Sequence, residues 1–340
     1  MKFGPAPLGR AEGKILGHNV AGRDGRRLLR KGKALTAEHV TVLRGTGRTV
    51  VYVAELEPGD VVEDEAARRV ADAAKGDGLR LLGSSTGRVN VLSTTQGLFR
   101  LNPDRLVRLN ECDGVTLAAL DTHTAVGPGQ AVATIKVIPY AVPERTVARA
   151  EAIATEGEPL IRVDALPSRA VGMILSGSPS VRSKLFEDFF PLEERVRSLG
   201  SHISKRDYVT LDDDSGESSL ASVIGQQRDA GVHLILFAGE TAIMDARDIM
   251  PRALERAGGR VTCVGAPVDP GNLLMLGYIG DVPVLGAPGC ARSRKVNVVD
   301  WVLPRLLVGD RLTRADIVAL GHGGLLEDVP ERPLPRSRID

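Results

Sequence analysis

Residues 233–251, HLILFAGETAIMDARDIMP, decide the fold of this chain. Residues 234–238 form an unbroken apolar run, which is typical of a strand buried on both faces of a parallel sheet. Gly239 follows where the chain must turn, and Pro251 comes just before a run with helical spacing. The stretch therefore predicts a strand, a tight polar loop and a helix.

The polar loop of this stretch is a candidate ligand site. In open α/β sheets, ligands bind beyond the carboxyl ends of the strands. Gly239 lets the backbone approach a ligand closely, and free N–H groups at a helix start favour a phosphate. Glu240 and Thr241 complete the loop, and Asp248 precedes the helix. An ordinary strand-to-helix turn that binds nothing is the alternative, and this stretch alone leaves both open.

The composition is that of a soluble globular protein with two or more domains. The 340 residues are 43% hydrophobic and 26% charged, with a net charge of +1, so no global field attracts nucleic acid or a membrane surface. No run approaches the roughly 18 apolar residues of a transmembrane helix. The three cysteines lie far apart without a CxxC, which predicts neither a disulfide framework nor a zinc site. We therefore expect a cytoplasmic protein.

The sequence pattern predicts four segments. Residues 1–145 indicate a smaller β-rich α+β module, in which residues 11–20 are expected to form a short helix that runs into a strand. Residues 146–168 are predicted to be a linker helix and strand. Regular alternation of strands and helices over residues 169–330 predicts an α/β domain with a mostly parallel sheet. The Pro- and Arg-rich residues 331–340 indicate a tail.

Three adjacent carboxylates, Asp212, Asp213 and Asp214, follow a predicted strand at residues 208–211. Adjacent carboxylates repel one another unless a cation or solvent compensates. Mg²⁺ prefers oxygen ligands and phosphate partners, so these residues are candidate Mg²⁺ ligands. A solvated acidic loop that caps the next helix explains the cluster equally well.

Two more loops in the C-terminal half suit a ligand. Pro270, Gly271 and Asn272 form a turn before an apolar segment. Gly286, Pro288 and Gly289 lead through Ser293 and several basic residues into a predicted helix. Backbone N–H groups and basic side chains ahead of a helix can seat a phosphate.

These loops together resemble molybdopterin molybdotransferases and adenylyltransferases. Residues 282–293, VPVLGAPGCARS, resemble the GLPGNPVSA stretch of that family, and residues 270–272 resemble its PGKP loop. Residues 237–248 resemble its glycine-rich TTGGTG…RD loop, and residues 171–177 resemble the strand that carries its TGDE motif. The resemblance covers about residues 169–330.

The resemblance implies a three-layer molybdopterin-binding domain. The pterin phosphate would lie against Gly239, Glu240 and Thr241, and Asp248 would take the place of the functionally important aspartate of the family. The implied binding residues for the pterin or its nucleotide are Pro270, Gly271, Asn272, Gly286, Pro288, Gly289 and Ser293. Asp213, Asp214 and Asp248 would hold Mg²⁺.

The implied function is binding of molybdopterin, or its adenylated form, in molybdenum-cofactor biosynthesis by a molybdotransferase-like enzyme. The alternative is a non-catalytic carrier that holds the molybdenum cofactor for a molybdoenzyme. The expected partners are a phosphorylated pterin, a molybdoenzyme or another cofactor-synthesis protein, and further copies of this chain in a homo-oligomer. We expect no nucleic-acid or membrane partner. A nucleotide-binding Rossmann domain is disfavoured because no GxGxxG motif opens a helix.

The sequence departs from the family pattern at several site positions. Glu240 and Ala242 replace the second and fourth glycines of GGTG, and Ser178-Pro179 replaces the Asp-Glu of TGDE. Glu240 places a negative charge where a phosphate is expected. That charge would weaken binding unless the side chain turns away or meets a metal.

Overall fold

The computed structural model describes residues 1–22, 24–211 and 215–326. The chain divides into two compact units, residues 1–164 and 165–340. The predicted mixed α/β character is confirmed, with several separate sheets. The predicted tail, residues 331–340, lies outside the described residues.

The first unit is built from short, mostly antiparallel strands in small sheets, together with four helices in its described part. The strands are β1 Lys2–Pro7, β2 Ile15–Leu16, β3 Val20–Ala21, β4 Arg27–Leu29, β5 Val50–Glu55, β6 Asp60–Val62, β7 Leu79–Ser85, β8 Arg88–Ser93, β9 Gly97–Leu101, β10 Val115–Ala119, β11 Ala125–Val126, β12 Ala131–Val137, β13 Ala141–Pro143 and β14 Ile161–Ala165. The helices are α1 Ala37–Gly45, α2 Glu63–Ala74, α3 Pro103–Asn110 and α4 Glu144–Ala154.

Two predictions of helices in this unit can be compared with the structure. The helix predicted within residues 11–20 is wrong, because that segment contains only the short strands β2 and β3. Lys14 and Gly17 bond instead to backbone groups of other segments, so tertiary pairing overrides local propensity. A helix is present where the linker helix was predicted, as α4, and it packs on α2 within the first unit. Arg69 of α2 donates to both Glu144 and Glu151 of α4.

The second unit holds a six-stranded sheet and six helices in its described part. Its strands are β15 Ala170–Gly177, β16 His202–Thr210, β17 Leu234–Gly239, β18 Arg260–Val264, β19 Met275–Ile279 and β20 Val282–Gly286. Its helices are α5 Arg182–Asp188, α6 Phe190–Ser198, α7 Ser215–Asp229, α8 Ile249–Arg256, α9 Val298–Val308 and α10 Arg314–Ala319.

The sheet order is β16-β15-β17-β20-β19-β18. The first four strands are parallel, and β19 and β18 are antiparallel to their neighbours. Alternate residues of β17 enter two different cores. Leu234 and Leu236 face a core shared with α5, α6 and α9, whereas Ile235 and Phe237 face a core shared with α7 and α8. The apolar run of β17 is therefore buried on both faces, as its sequence predicts.

No helix among the described residues combines the length and the apolar character that a membrane span requires.

Candidate functional site

The predicted site loops of the second unit lie at one edge of its sheet. Gly239 of β17 pairs with Ser176 of β15, and Phe237 pairs with Gly286 of β20. Gly286 pairs in turn with Met275, the first residue of β19. The loops that follow β15, β17 and β20 and the loop that precedes β19 therefore leave the sheet on the same side. This is the edge at which open α/β sheets bind ligands.

Glu240 turns towards the loop after β15. Its Oε2 accepts a hydrogen bond from the backbone N–H of Ser178 at 2.7 Å, and its own N–H donates to the Ser176 carbonyl at 2.8 Å. A Cβ at Gly177 would lie 2.8 Å from the Glu240 Cβ, so glycine permits this approach. The carboxylate is thus held beside residues 178–179. It does not point freely into the loop.

Asp248 organises the loop that precedes α8. Its Oδ2 accepts hydrogen bonds from the backbone N–H groups of Met244 and, at 2.9 Å, Asp245. Thr241 is exposed, whereas Ile243 is buried and lies where a Cβ on Gly286 would be. The loop thus folds back over the end of β20, and Asp248 fixes its shape through one carboxylate oxygen.

Arg292 joins two of the predicted site loops, and sequence reasoning did not single it out. One terminal nitrogen of Arg292 donates to the Gly239 carbonyl at 2.9 Å, and the guanidinium lies 4.8 Å from the centre of the Phe189 ring. Its buried Nε has no hydrogen-bond partner among the described residues. The basic run after Gly289 was visible in the sequence, but only the tertiary structure shows which of its cations turns inward.

Arg195 holds the turn after β20 through hydrogen bonds. This buried guanidinium donates to the carbonyls of Ala291 and Lys295 and to the Asp300 carboxylate, at distances from 2.8 to 3.3 Å. Gly289 is exposed, and burial raises the pKa of the neighbouring Cys290 thiol. The turn is therefore a rigid rim with exposed backbone.

Two other predicted site residues border this turn. Ser293 is exposed, and its Oγ accepts from the Lys295 N–H at 3.1 Å. Pro288 is buried, and it precedes the short helical turn Gly289–Arg292. Both lie in the same rim as Gly289.

The loop of Pro270, Gly271 and Asn272 packs on the start of α9. The Pro270 carbonyl accepts from the Val298 N–H at 3.2 Å. Gly271 has a φ of 141°, and a Cβ there would lie 2.5 Å from Val298, so only glycine fits. Asn272 is exposed, and its carbonyl accepts from the Ala266 N–H. This loop shares the sheet edge but contacts α9.

Two of the three predicted Mg²⁺ ligands, Asp213 and Asp214, lie outside the described residues. Within residues 1–22, 24–211 and 215–326, no group of three His, Cys, Asp or Glu residues is arranged to hold a metal ion. The Mg²⁺ site with Asp248 therefore stays a prediction.

Comparison with known families gives one match, and that match lies in the first unit. Residues 5–55 match a family described as a domain of unknown function, DUF8806. No curated protein matches the sequence.

Comparison with solved structures finds proteins of molybdenum-cofactor biosynthesis. A molybdopterin biosynthesis MoeA protein from Pyrococcus horikoshii is similar over 90% of this chain and 75% of its own, with 13% identity and a TM-score of 0.30. A molybdenum cofactor biosynthesis protein B is similar over 42% of this chain and 95% of its own, with 17% identity and a TM-score of 0.30. A molybdenum cofactor biosynthesis protein from Pyrococcus furiosus is similar over 94% of this chain and 65% of its own, with 12% identity and a TM-score of 0.22.

Proposed function

We propose that the second unit binds molybdopterin, or its adenylated form, at the carboxyl edge of its sheet and acts in molybdenum-cofactor biosynthesis. The observation that carries the proposal is the convergence of the motif-bearing loops at this edge, with Arg292 joining two of them. In this proposal the unit is a three-layer molybdopterin-binding domain.

The charge at the site supports a phosphorylated ligand. The Arg292 guanidinium brings positive charge to the site, partly offset by Asp188 at 3.8 Å, and the exposed backbone near Gly289 adds N–H donors. The Glu240 carboxylate keeps its negative charge, but the Ser178 N–H directs it towards the loop after β15. The same contact returns a carboxylate to the position where the related TGDE motif has its acids. Asp248, with Asp213 and Asp214, would hold Mg²⁺ beside the phosphate.

Replacing Arg292 by methionine tests the binding site. We expect the amount of pterin that copurifies from a cofactor-producing cell, measured by mass spectrometry, to fall about ten-fold, because a charge-assisted hydrogen bond contributes roughly 1.5–3 kcal/mol. Arg294→Met is the matched control, since Arg294 is exposed and pairs with Glu194 at 2.8 Å. Equal pterin content in the Arg292 variant and the wild type would remove Arg292 from the site.

A second candidate is a carrier that holds mature cofactor without turnover. It is favoured by Ser178-Pro179, which stand where the related TGDE motif has its two acids. In this case cofactor copurifies, but the protein releases neither AMP nor molybdate. Steady release of either product would exclude the carrier.

Asp248→Asn separates the two candidates further. An asparagine oxygen can still accept from Met244 and Asp245, so the loop keeps its shape while the charge is lost. An enzyme that uses Asp248 loses turnover and keeps its pterin, whereas a carrier is unaffected. Asp245→Asn is the control on the same loop.

A further inference from the structure

A cleft of about 1020 Å³ lies within the first unit, and no function described above uses it. Its volume is at the upper end of small-molecule sites. The residues that matter for its chemistry are Lys31, Glu63, Arg88, Lys136, Ile138 and Tyr140.

The frame of the cleft is held by hydrogen bonds between distant segments. The Tyr140 hydroxyl donates to the Gly17 carbonyl at 2.8 Å, and the Tyr140 carbonyl accepts from the Glu63 N–H at 2.9 Å. Burial raises the pKa of Tyr140, so its hydroxyl stays a donor through the physiological range. These hydrogen bonds therefore hold the walls of the cleft in place without a ligand.

One wall is a strained turn between β7 and β8. Thr86 has a φ of 55°, a left-handed conformation that a β-branched residue rarely adopts. The Gly87 N–H donates to Asp64 at 2.6 Å, and Lys136 donates to the Thr86 carbonyl. The turn is thus tied to both α2 and β12. Strain that the surroundings enforce in this way is a feature of ligand sites.

The cleft has more free positive charge than negative charge. Lys136 is matched by Glu63, with Nζ and Oε2 3.4 Å apart. Burial raises the pKa of Glu63, while the charges of Lys136 and Lys31 act in the opposite direction. In the described part of the chain, the side chains of Lys31 and Arg88 form no ion pair, although both line the cleft. Asp64 also lines the cleft, so its three basic side chains exceed its two acidic ones by one, and this excess favours an anion.

The cleft also exposes apolar surface. The Ile138 side chain is 62% exposed, and Phe3 is 49% exposed. Pro139 and the Tyr140 ring lie beside them in the lining. An apolar patch next to unpaired cations fits a ligand with one charged end and one apolar body.

We propose that this cleft binds a small organic anion that carries a phosphate or a carboxylate on a ring. Lys31 and Arg88 hold the charged group, and Ile138 and Tyr140 contact the ring. The charge-neutralised Lys136 and Glu63 pair keeps the turn at Thr86 in place.

The test uses 1-naphthyl phosphate as the probe in isothermal titration calorimetry with the full chain at low salt. We expect one saturable site per chain. Arg88→Gln and Lys31→Gln each weaken binding about ten-fold, and Arg44→Gln leaves it unchanged because this exposed residue lies outside the lining. The proposal is overturned if no saturable binding occurs or if Arg44→Gln has the same effect as Arg88→Gln.

The apolar contact is tested separately. Ile138→Asn should weaken the probe about ten-fold, and inorganic phosphate should bind far more weakly than 1-naphthyl phosphate. Equal affinity for the two compounds would overturn the proposed ring contact. Thermal unfolding of each variant verifies that these exposed substitutions leave the fold intact. Arg292→Met should leave probe binding unchanged, so this result is independent of the pterin site in the second unit.

Discussion

The two units bury their arginines in different ways. Arg105 in the first unit is 8% exposed. Within the described residues, its guanidinium donates hydrogen bonds only to backbone carbonyls. Arg195 and Arg305 in the second unit, 9% and 8% exposed, both reach carboxylates. A buried guanidinium therefore needs acceptors for its donors, but it does not need a counter-ion when a helix end supplies partial negative charge.

Arg105 connects α3 with the end of α4. Its guanidinium donates to the carbonyls of Ile153, Ala154 and Glu158 at distances from 2.6 to 3.1 Å. These carbonyls belong to the last turn of α4 and the segment after it, where intrahelical donors run out. The Ile153 carbonyl also accepts from the Glu156 N–H, but that bond is long, at 3.5 Å. The contact stabilises the helix end and neutralises part of the buried charge at the same time.

Among substitutions that test this difference between the units, Arg105→Met should lower the free energy of unfolding the most. The substitution leaves the carbonyls of Ala154 and Glu158 without this donor, and each unsatisfied group costs about 1–3 kcal/mol, so we expect a loss of about 2–6 kcal/mol in the free energy of unfolding. Urea denaturation measures it. Arg108→Met on the same helix is the control, because Arg108 forms an exposed pair with Glu156 and its loss should have a much smaller effect. Equal losses in the two variants would contradict the role of the carbonyls.

Asp300→Ala in the second unit should have an intermediate effect. It removes the counter-ion of Arg195 and the acceptor of the Asn297 N–H that begins α9. We expect a loss of about 2–3 kcal/mol, since a buried charge and a helix cap are both affected. Asp300→Asn retains an acceptor for the cap and should recover about 1 kcal/mol of it. No recovery would show that the ion pair alone matters.

A smaller, pH-dependent effect is expected at Asp316, which pairs with Arg305. Burial raises the pKa of this carboxyl, but hydrogen bonds from Thr313 and Arg305 outweigh burial and lower the pKa from 3.8 to about 2. Because the folded state holds the proton less tightly than the unfolded chain, this stabilisation is complete above about pH 4 and is lost as the pH falls towards 2. It amounts to at most about 2 kcal/mol.

The measurement is the free energy of unfolding of the wild type and Asp316→Asn between about pH 2 and pH 5. The difference between the two proteins should shrink as the pH falls. A constant difference over this range would contradict the depressed pKa. Asp281→Asn is the control, because Asp281 is fully exposed.

Local pattern predicted the second unit well, and the reason lies in burial. The apolar runs of β15, β17 and β20 are buried on both faces, so each strand can be predicted from its own residues. The edge strand β16 was predicted only at residues 208–211, because its first half alternates exposed and half-buried polar residues. The helical segment after β15 is divided into α5 and α6, which separate at Phe189 before Pro191.

The candidate site was predicted in part. The glycine loops were identified from turn chemistry, and the strand registers place them at one edge of the sheet. Arg292 was not identified because nothing in the basic run 292–295 distinguishes an inward cation from a solvated one. Arg195 was not identified because a charged residue at helical spacing is ordinarily solvated. The direction taken by the Glu240 carboxylate also depends on Ser178, a residue 62 positions away in the chain.

The sequence by itself determined the α/β character of the second unit and the positions of its turns, because strand periodicity and glycine conformation are local properties. Tertiary structure alone decided which charges meet. Arg105 donates to carbonyls that lie 48 or more residues away in the chain, and Arg195 pairs with Asp300 at a separation of 105 residues. The burial of these guanidiniums depends on how helices pack, and no local pattern encodes that distance.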